Sequence, residues 1–138
     1  MPFYEERSKT ALPKSMAFSF AFPPILERRS IDILENRFKT KLVGELKRMF
    51  PGCVVIHTDP NEMQGIPDLI ILYEDRWAAL EGKRSANASH RPNQDYYVDL
   101  MNRMSFAAFI FPENKEEVLY ELSQALRPGG STRVPGRE

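Results

Sequence analysis

The chain has 138 residues, a length that suits one compact domain. Apolar residues make up 42% and charged residues 28%, the balance of a folded globular protein and too apolar for full disorder. Lys plus Arg (19) equals Asp plus Glu (19), giving a formal net charge of +0, which excludes an all-over basic coat for nucleic acid but allows a local basic face.

A single cysteine, Cys53, excludes an internal disulfide and any multi-cysteine zinc or iron–sulfur site; burial suits it better than nucleophilic catalysis, since no paired base is recognisable. No apolar run approaches the roughly 20 residues needed to span a bilayer. The Met16–Phe22 run is short, and Glu5 and Glu6 sit where a secretory signal would carry positive charge. The expectation is a soluble protein of a reducing cytoplasm, with no membrane partner.

Residues 1–29 read as an irregular arm, with Pro2, Pro13, Pro23 and Pro24 interrupting any helix. Within it Met16, Phe18, Phe20 and Phe22 alternate with small residues, the period of a strand with one apolar face. That face needs a cover, either the domain's own core or a second subunit, so the arm is a candidate dimer contact. Ser30 is the expected N-cap of a first helix, with Asp32 in its first turn. Leu34, Phe38, Leu42, Leu46 and Met49 then keep helical spacing until Pro51–Gly52. Glu35 and Glu45 fall on or beside this apolar stripe, where an unpaired charge is costly. Lys39 is the i+4 neighbour that could pair with Glu35. Glu45, further along, reads as structural.

Val54–His57 predicts a short strand and Thr58–Gly65 a polar loop, with turn chemistry at Asp59-Pro60-Asn61. Leu69–Tyr73 and Trp77–Lys83 predict a hairpin around Glu74-Asp75-Arg76, and Trp77 suits a core or a dimer surface. Ser85–Arg91 is polar and irregular. Pro92 suits a first helical position, and the helix to Met104 puts Tyr97, Leu100, Met101 and Met104 on one face. Phe106–Phe111 reads as a buried strand. Pro112 opens a last helix carrying Val118, Leu119, Leu122 and Leu126, and residues 127–138 read as a disordered tail. The order is helix, three strands, helix, strand, helix, which predicts an α/β sandwich on a mixed sheet over residues 30–126.

Three residues on the hairpin carry chemistry. Asp68 follows Pro67 at the mouth of the first strand, and Glu81 and Lys83, two apart, share a sheet face at the end of the second. Antiparallel pairing through a short turn brings Asp68 beside Glu81 and Lys83. Two carboxylates at one sheet end form an oxygen site for a hard divalent cation, and the lysine can orient water or offset charge on a phosphate.

Gly65-Ile66-Pro67-Asp68, followed thirteen residues after Asp68 by Glu81-Gly82-Lys83, resembles the PD-(D/E)XK nuclease superfamily, most nearly its compact phage enzymes of Holliday-junction-resolvase-like and VRR-NUC type. The resemblance spans Ser30 to Phe111. It implies a three-layer αβββαβ restriction-endonuclease-like core with a mixed central sheet and a C-terminal helix. It also implies Mg²⁺, or Mn²⁺ in its place, bound by Asp68, Glu81 and the Gly82 carbonyl, with Lys83 assisting the hydrolytic water. Glu35 stands where that family carries a helical acid, and Gln94 where it carries a helix-opening glutamine; both would support the site. Gly82 departs from the large apolar residue usual there and reads as a packing cost or a bulge.

Lys83, Arg84, His90 and Arg91 bracket the neighbouring loop and could track a phosphate backbone, while nothing in the sequence reads bases. The resulting expectation is a Mg²⁺-dependent, structure-selective endonuclease acting on DNA as a homodimer, in a host cytoplasm if of phage origin. The alternative is a non-catalytic nucleic-acid- or protein-binding module on the same scaffold.

Overall fold

The computed structural model describes residues 23–128. The described residues from Glu35 onwards belong to one compact unit, and the packing and the site described below lie within it. Helix α1 spans Pro23–Met49, strands β1 to β3 span Val54–His57, Leu69–Tyr73 and Arg76–Gly82, helix α2 spans Pro92–Met104, β4 spans Phe106–Ile110 and α3 spans Lys115–Leu126. The sheet order is β1-β2-β3-β4. The first three strands are antiparallel neighbours, and β4 joins β3 in parallel after the α2 crossover. Among the described residues the fold is therefore α/β with a four-stranded mixed sheet and three helices.

The α1 start differs from expectation, because the helix begins at Pro23 and Ser30 lies inside it. Prolines are tolerated in a first helical turn, where amides have no intrahelical partner; Pro23 and Pro24 open the helix rather than interrupt it. The alternating Met16–Phe22 stretch and the tail from 129 fall outside the described residues. Leu34, expected on the buried stripe, is 56% exposed, and the buried face runs through Leu42, Leu46 and Phe50, with Phe38 packed against it. The last helix starts at Lys115, three residues later than expected. Asn114 Oδ1 accepts the Phe111 amide at 2.9 Å, and its Nδ2 donates to the Phe109 carbonyl at 3.1 Å. Those bonds close a turn over Pro112 before the helix can begin.

Alternation along the strands separates two cores. Leu69, Ile71, Ala78, Leu80, Phe106 and Ile110 face α1 and α3. Ala79 and Ala107, with Ile70, Trp77 and Phe109 at the margin, face α2 through Val98 and Met101. Val98 rather than Met104 is the inward residue of α2; Met104 is 59% exposed. Trp77 is half-buried in this second cluster. Outside it, β1 is an edge strand whose Val54 and Ile56 stay exposed beside Leu72.

The hairpin register is the feature that builds the site. Tyr73 pairs with Arg76 and Leu69 with Leu80, so one step further out Asp68 stands opposite Glu81. A two-residue turn achieves this with Glu74 at φ 57°, a left-handed conformation. The register continues unbroken through Gly82 opposite Ile110, so Gly82 is not a bulge. Core truncation should confirm the layering: Leu80→Ala, fully buried between sheet and helices, should cost about 2–5 kcal/mol, whereas Leu72→Ala, 39% exposed in the wild type, should cost under about 1 kcal/mol, both read from urea unfolding midpoints.

Candidate functional site

The site is built where β2 begins and β3 ends. Thr58 anchors the entering loop: its hydroxyl donates to the Pro67 carbonyl at 2.7 Å and its amide to the Asp68 carbonyl at 2.9 Å. Gly65 brings that loop against α2. Its φ is +89°, and a Cβ there would lie 2.7 Å from the Asn93 side chain, so only glycine permits both the backbone and the approach.

Asp68 and Glu81 are tied together through the backbone. The Asp68 amide donates to Glu81 Oε1 at 3.1 Å, and the Gly82 amide donates to Asp68 Oδ2 at 2.9 Å. Gln94, in the first turn of α2, joins Glu81 to Lys83: its Nε2 donates to Glu81 Oε2 at 3.0 Å, and its Oε1 accepts Lys83 Nζ at 2.9 Å. An ammonium only donates and a carboxylate only accepts, so these neighbours fix the orientation of the Gln94 amide. Lys83 Nζ also donates to the Ser89 carbonyl at 3.2 Å and lies 3.7 Å from Glu81 Oε2. Glu81 and Lys83 are only 3% and 7% exposed. A charged pair so far from water persists only when its polar atoms are paired, and here they are.

Asp68, Glu81, Gly82, Lys83 and Gln94 thus form one hydrogen-bonded cluster; the hairpin arithmetic brings Asp68 to Glu81 and Lys83, and α2 adds Gln94. Glu35 reaches it only through a residue read from sequence as a simple helix partner. Lys39 Nζ lies 3.1 Å from Glu35 Oε2 and 2.9 Å from Asp68 Oδ2. A carboxylate at the sheet end and a lysine one turn after Glu35 were both visible in the sequence; their meeting was not. Glu45 pairs with Lys115 of α3 at 3.0 Å, a structural contact between helices. Of the basic residues, Lys83 faces inward, Arg84 is half-buried, and His90 and Arg91 are exposed. The His90 ring stacks on Phe109, with centroids 4.0 Å apart, and Nδ1 lies 3.0 Å from Asp95 Oδ1. The Arg91 amide donates to Gln94 Oε1 at 3.1 Å, so this residue helps set the glutamine through its backbone.

Burial and the neighbouring Asp68 charge push the Glu81 carboxyl up to about 7, although Lys83, Lys39 and the Asp68 amide pull the other way. Burial alone would lower the Lys39 ammonium, but the Asp68 and Glu35 carboxylates outweigh it and the net shift is upward. Among the described residues no group of three or more His, Cys, Asp and Glu side chains forms a metal-ligand cluster; the acidic oxygens at the sheet end are those of Asp68 and Glu81. Among the described residues no helix is long and apolar enough to cross a membrane. No family model, no curated protein and no solved structure matches the chain.

The Glu81 shift has a measurable consequence in chelator-treated protein. The unfolded carboxyl titrates near 4.5 and the folded one near 7, so between these values the folded chain binds more protons and stability falls as pH rises. Glu81→Gln should flatten this slope, worth up to about 3 kcal/mol between pH 5 and 8, in urea midpoints taken across the range; an unchanged slope would assign it to other groups.

Proposed function

We propose that this chain is a Mg²⁺-dependent nuclease that hydrolyses DNA phosphodiester bonds, with the restriction-endonuclease-like topology of the PD-(D/E)XK superfamily. The observation that carries the reading is the cluster itself: Asp68 and Glu81 hydrogen-bonded across a hairpin end, with Lys83 held beside them by Gln94. Element order supports the topology, with a helix, an antiparallel three-stranded ribbon, a crossover helix and a parallel fourth strand.

The donor set fits a hard divalent cation. Mg²⁺ is commonly held by one or two carboxylates and otherwise by water and substrate phosphate. Glu81 is desolvated against a second carboxylate, and the resulting upward shift marks negative charge that a cation would relieve. The Gly82 amide points to Asp68, and a strand residue's carbonyl leaves the backbone on the same side as its amide, so the Gly82 oxygen is the third donor of the proposed set. When bound, the ion supplies Lewis-acid polarisation and neutralises charge at a phosphodiester.

The protein's own groups do the rest. Asp68 and Glu81 hold the cation side of the site. Lys83 Nζ, fixed by Gln94 and the Ser89 carbonyl, offers a donor to charge developing on phosphate oxygen or orients the attacking water. Gln94 positions both Glu81 and Lys83. Glu35 acts on Asp68 through Lys39. Arg84, His90 and Arg91 follow the loop beside this end of the sheet and would meet the phosphate backbone without reading bases. A branched DNA substrate suits a homodimer with two such sites, and the Phe18, Phe20 and Phe22 arm proposed for that contact lies outside the described residues.

The rival reading, a non-catalytic binding module on the same scaffold, is favoured by the formal net charge of +0. One experiment separates the two. Linear, nicked, flapped and four-way DNA are incubated with Mg²⁺ and the wild type, Asp68→Ala, Glu81→Ala or Lys83→Ala, with folding checked by circular dichroism. Each substitution should lower cleavage roughly a hundredfold or more, and Mg²⁺ should raise the wild-type melting temperature as its concentration exceeds the dissociation constant. Cleavage by folded variants at the parent rate would remove the site assignment, and a metal-insensitive, DNA-binding but inert wild type would establish the module instead.

A further inference from the structure

We infer that Lys39 is the resident cation of Asp68, and that a divalent ion must displace its ammonium to reach Oδ2 of that carboxylate. The inference rests on the metal-site reading above and adds to it a competitor built into the fold. Lys39 Nζ lies 2.9 Å from Asp68 Oδ2, the oxygen that also accepts the Gly82 amide at 2.9 Å. That oxygen therefore already has a full unit of positive charge and a backbone donor against it. A cation approaching Oδ2 meets an ammonium at contact distance, and two cations cannot share one partly buried oxygen without strong repulsion.

Gly82 is the second, independent observation. A side chain there would place its Cβ 3.1 Å from Lys39 Cγ and 3.2 Å from Cε, so the aliphatic stem of the lysine crosses the strand end through the space that a side chain at position 82 would claim. The glycine in the middle of the Glu-Gly-Lys triplet leaves that space to Lys39 on its way from α1 to Asp68. The methylenes of Lys39 lie where a side chain at position 82 would begin.

Glu35 supplies the alternative seat. Its Oε2 is 3.1 Å from the same ammonium, one helical turn back, so Lys39 can swing off Asp68 and keep a carboxylate partner. Three carboxylates (Glu35, Asp68 and Glu81) and two ammonium groups (Lys39 and Lys83) then hold the metal-free site together. Entry of an ion exchanges one Lys39 contact for a metal contact. Glu35 in this arrangement is a positioning residue for Lys39. The device would keep the site electrostatically closed at low divalent concentration and would weaken affinity for the ion.

The test measures Mn²⁺ binding to chelator-treated, full-length protein by electron paramagnetic resonance of the free ion, without reference to cleavage. Wild type is compared with Lys39→Met, which keeps the stem and loses the charge, and Lys39→Gln, which keeps a donor for Asp68 should the first variant fail to fold. Lys115→Met, which removes the same charge from the remote Glu45 pair, is the control for net charge. The expected result is Mn²⁺ affinity raised roughly tenfold or more in the Lys39 variants, a lower melting temperature for them without metal, and an unchanged affinity in Lys115→Met. Equal affinity in wild type and folded Lys39 variants would overturn the competition and leave the metal site standing. An equal gain in Lys115→Met would also overturn it, as a net-charge effect. Absence of saturable Mn²⁺ binding in every protein would remove both the competition and the metal reading.

Discussion

Charge pairing at the end of the β2–β3 ribbon is the constraint around which the rest of the molecule is arranged. Asp68 and Glu81 stand opposite one another where the hairpin opens, and Glu81 is nearly closed off from water. Two carboxylates in such a place repel each other and lose hydration, and they are retained only if other groups compensate them. The compensation comes from both faces of the sheet. Lys39 arrives from α1 on one side, Gln94 from α2 on the other, and Lys83 from the strand itself. Backbone amides of Asp68 and Gly82 complete the set.

This arrangement explains features that otherwise look unrelated. Gly65 is glycine because the loop carrying Pro67 and Asp68 must pass against the first turn of α2 in a left-handed conformation. A side chain at Gly82 would crowd the stem of Lys39, which runs across it. Pro92 opens α2 so that Gln94 lies in its first turn, close to both Glu81 and Lys83. The alanines at 78, 79 and 107 keep the central strands slim, which lets helices on both sides approach the sheet and bring those polar side chains to one end. Packing and electrostatics therefore specify the same geometry, as mutually consistent local choices do in a foldable sequence.

The proposed chemistry follows from what such a cluster can offer. It has two hard oxygen donors with excess negative charge and a lysine held in place by three oxygen atoms. Beside it runs a loop carrying Arg84, half-buried, and His90 and Arg91, both exposed. A phosphodiester is the substrate class that uses all of these together, since it needs charge neutralised and water oriented and carries no demand for base recognition. Lys39 adds a further layer, a positive charge already seated on one of the donors.

Much of this was legible along the chain. The strand Leu69–Tyr73, the helix Pro92–Met104 and the pairing of Asp68 with Glu81 follow from apolar runs, a proline and the midpoint of a short turn, all local signals. The α1 start, the α3 start and the inward face of α2 were displaced, because proline and asparagine can either cap or break an element and neighbouring packing decides which. The role of Lys39 lay beyond the sequence altogether. From spacing alone it is the i+4 partner of Glu35; that it also bonds Asp68 depends on how α1 crosses the sheet and on the space above Gly82. Short-range periodicity sets elements and register, since those depend on neighbours in the chain. Which charges meet across layers is decided by the packing of helices on the sheet, where residues distant in sequence come within one hydrogen bond.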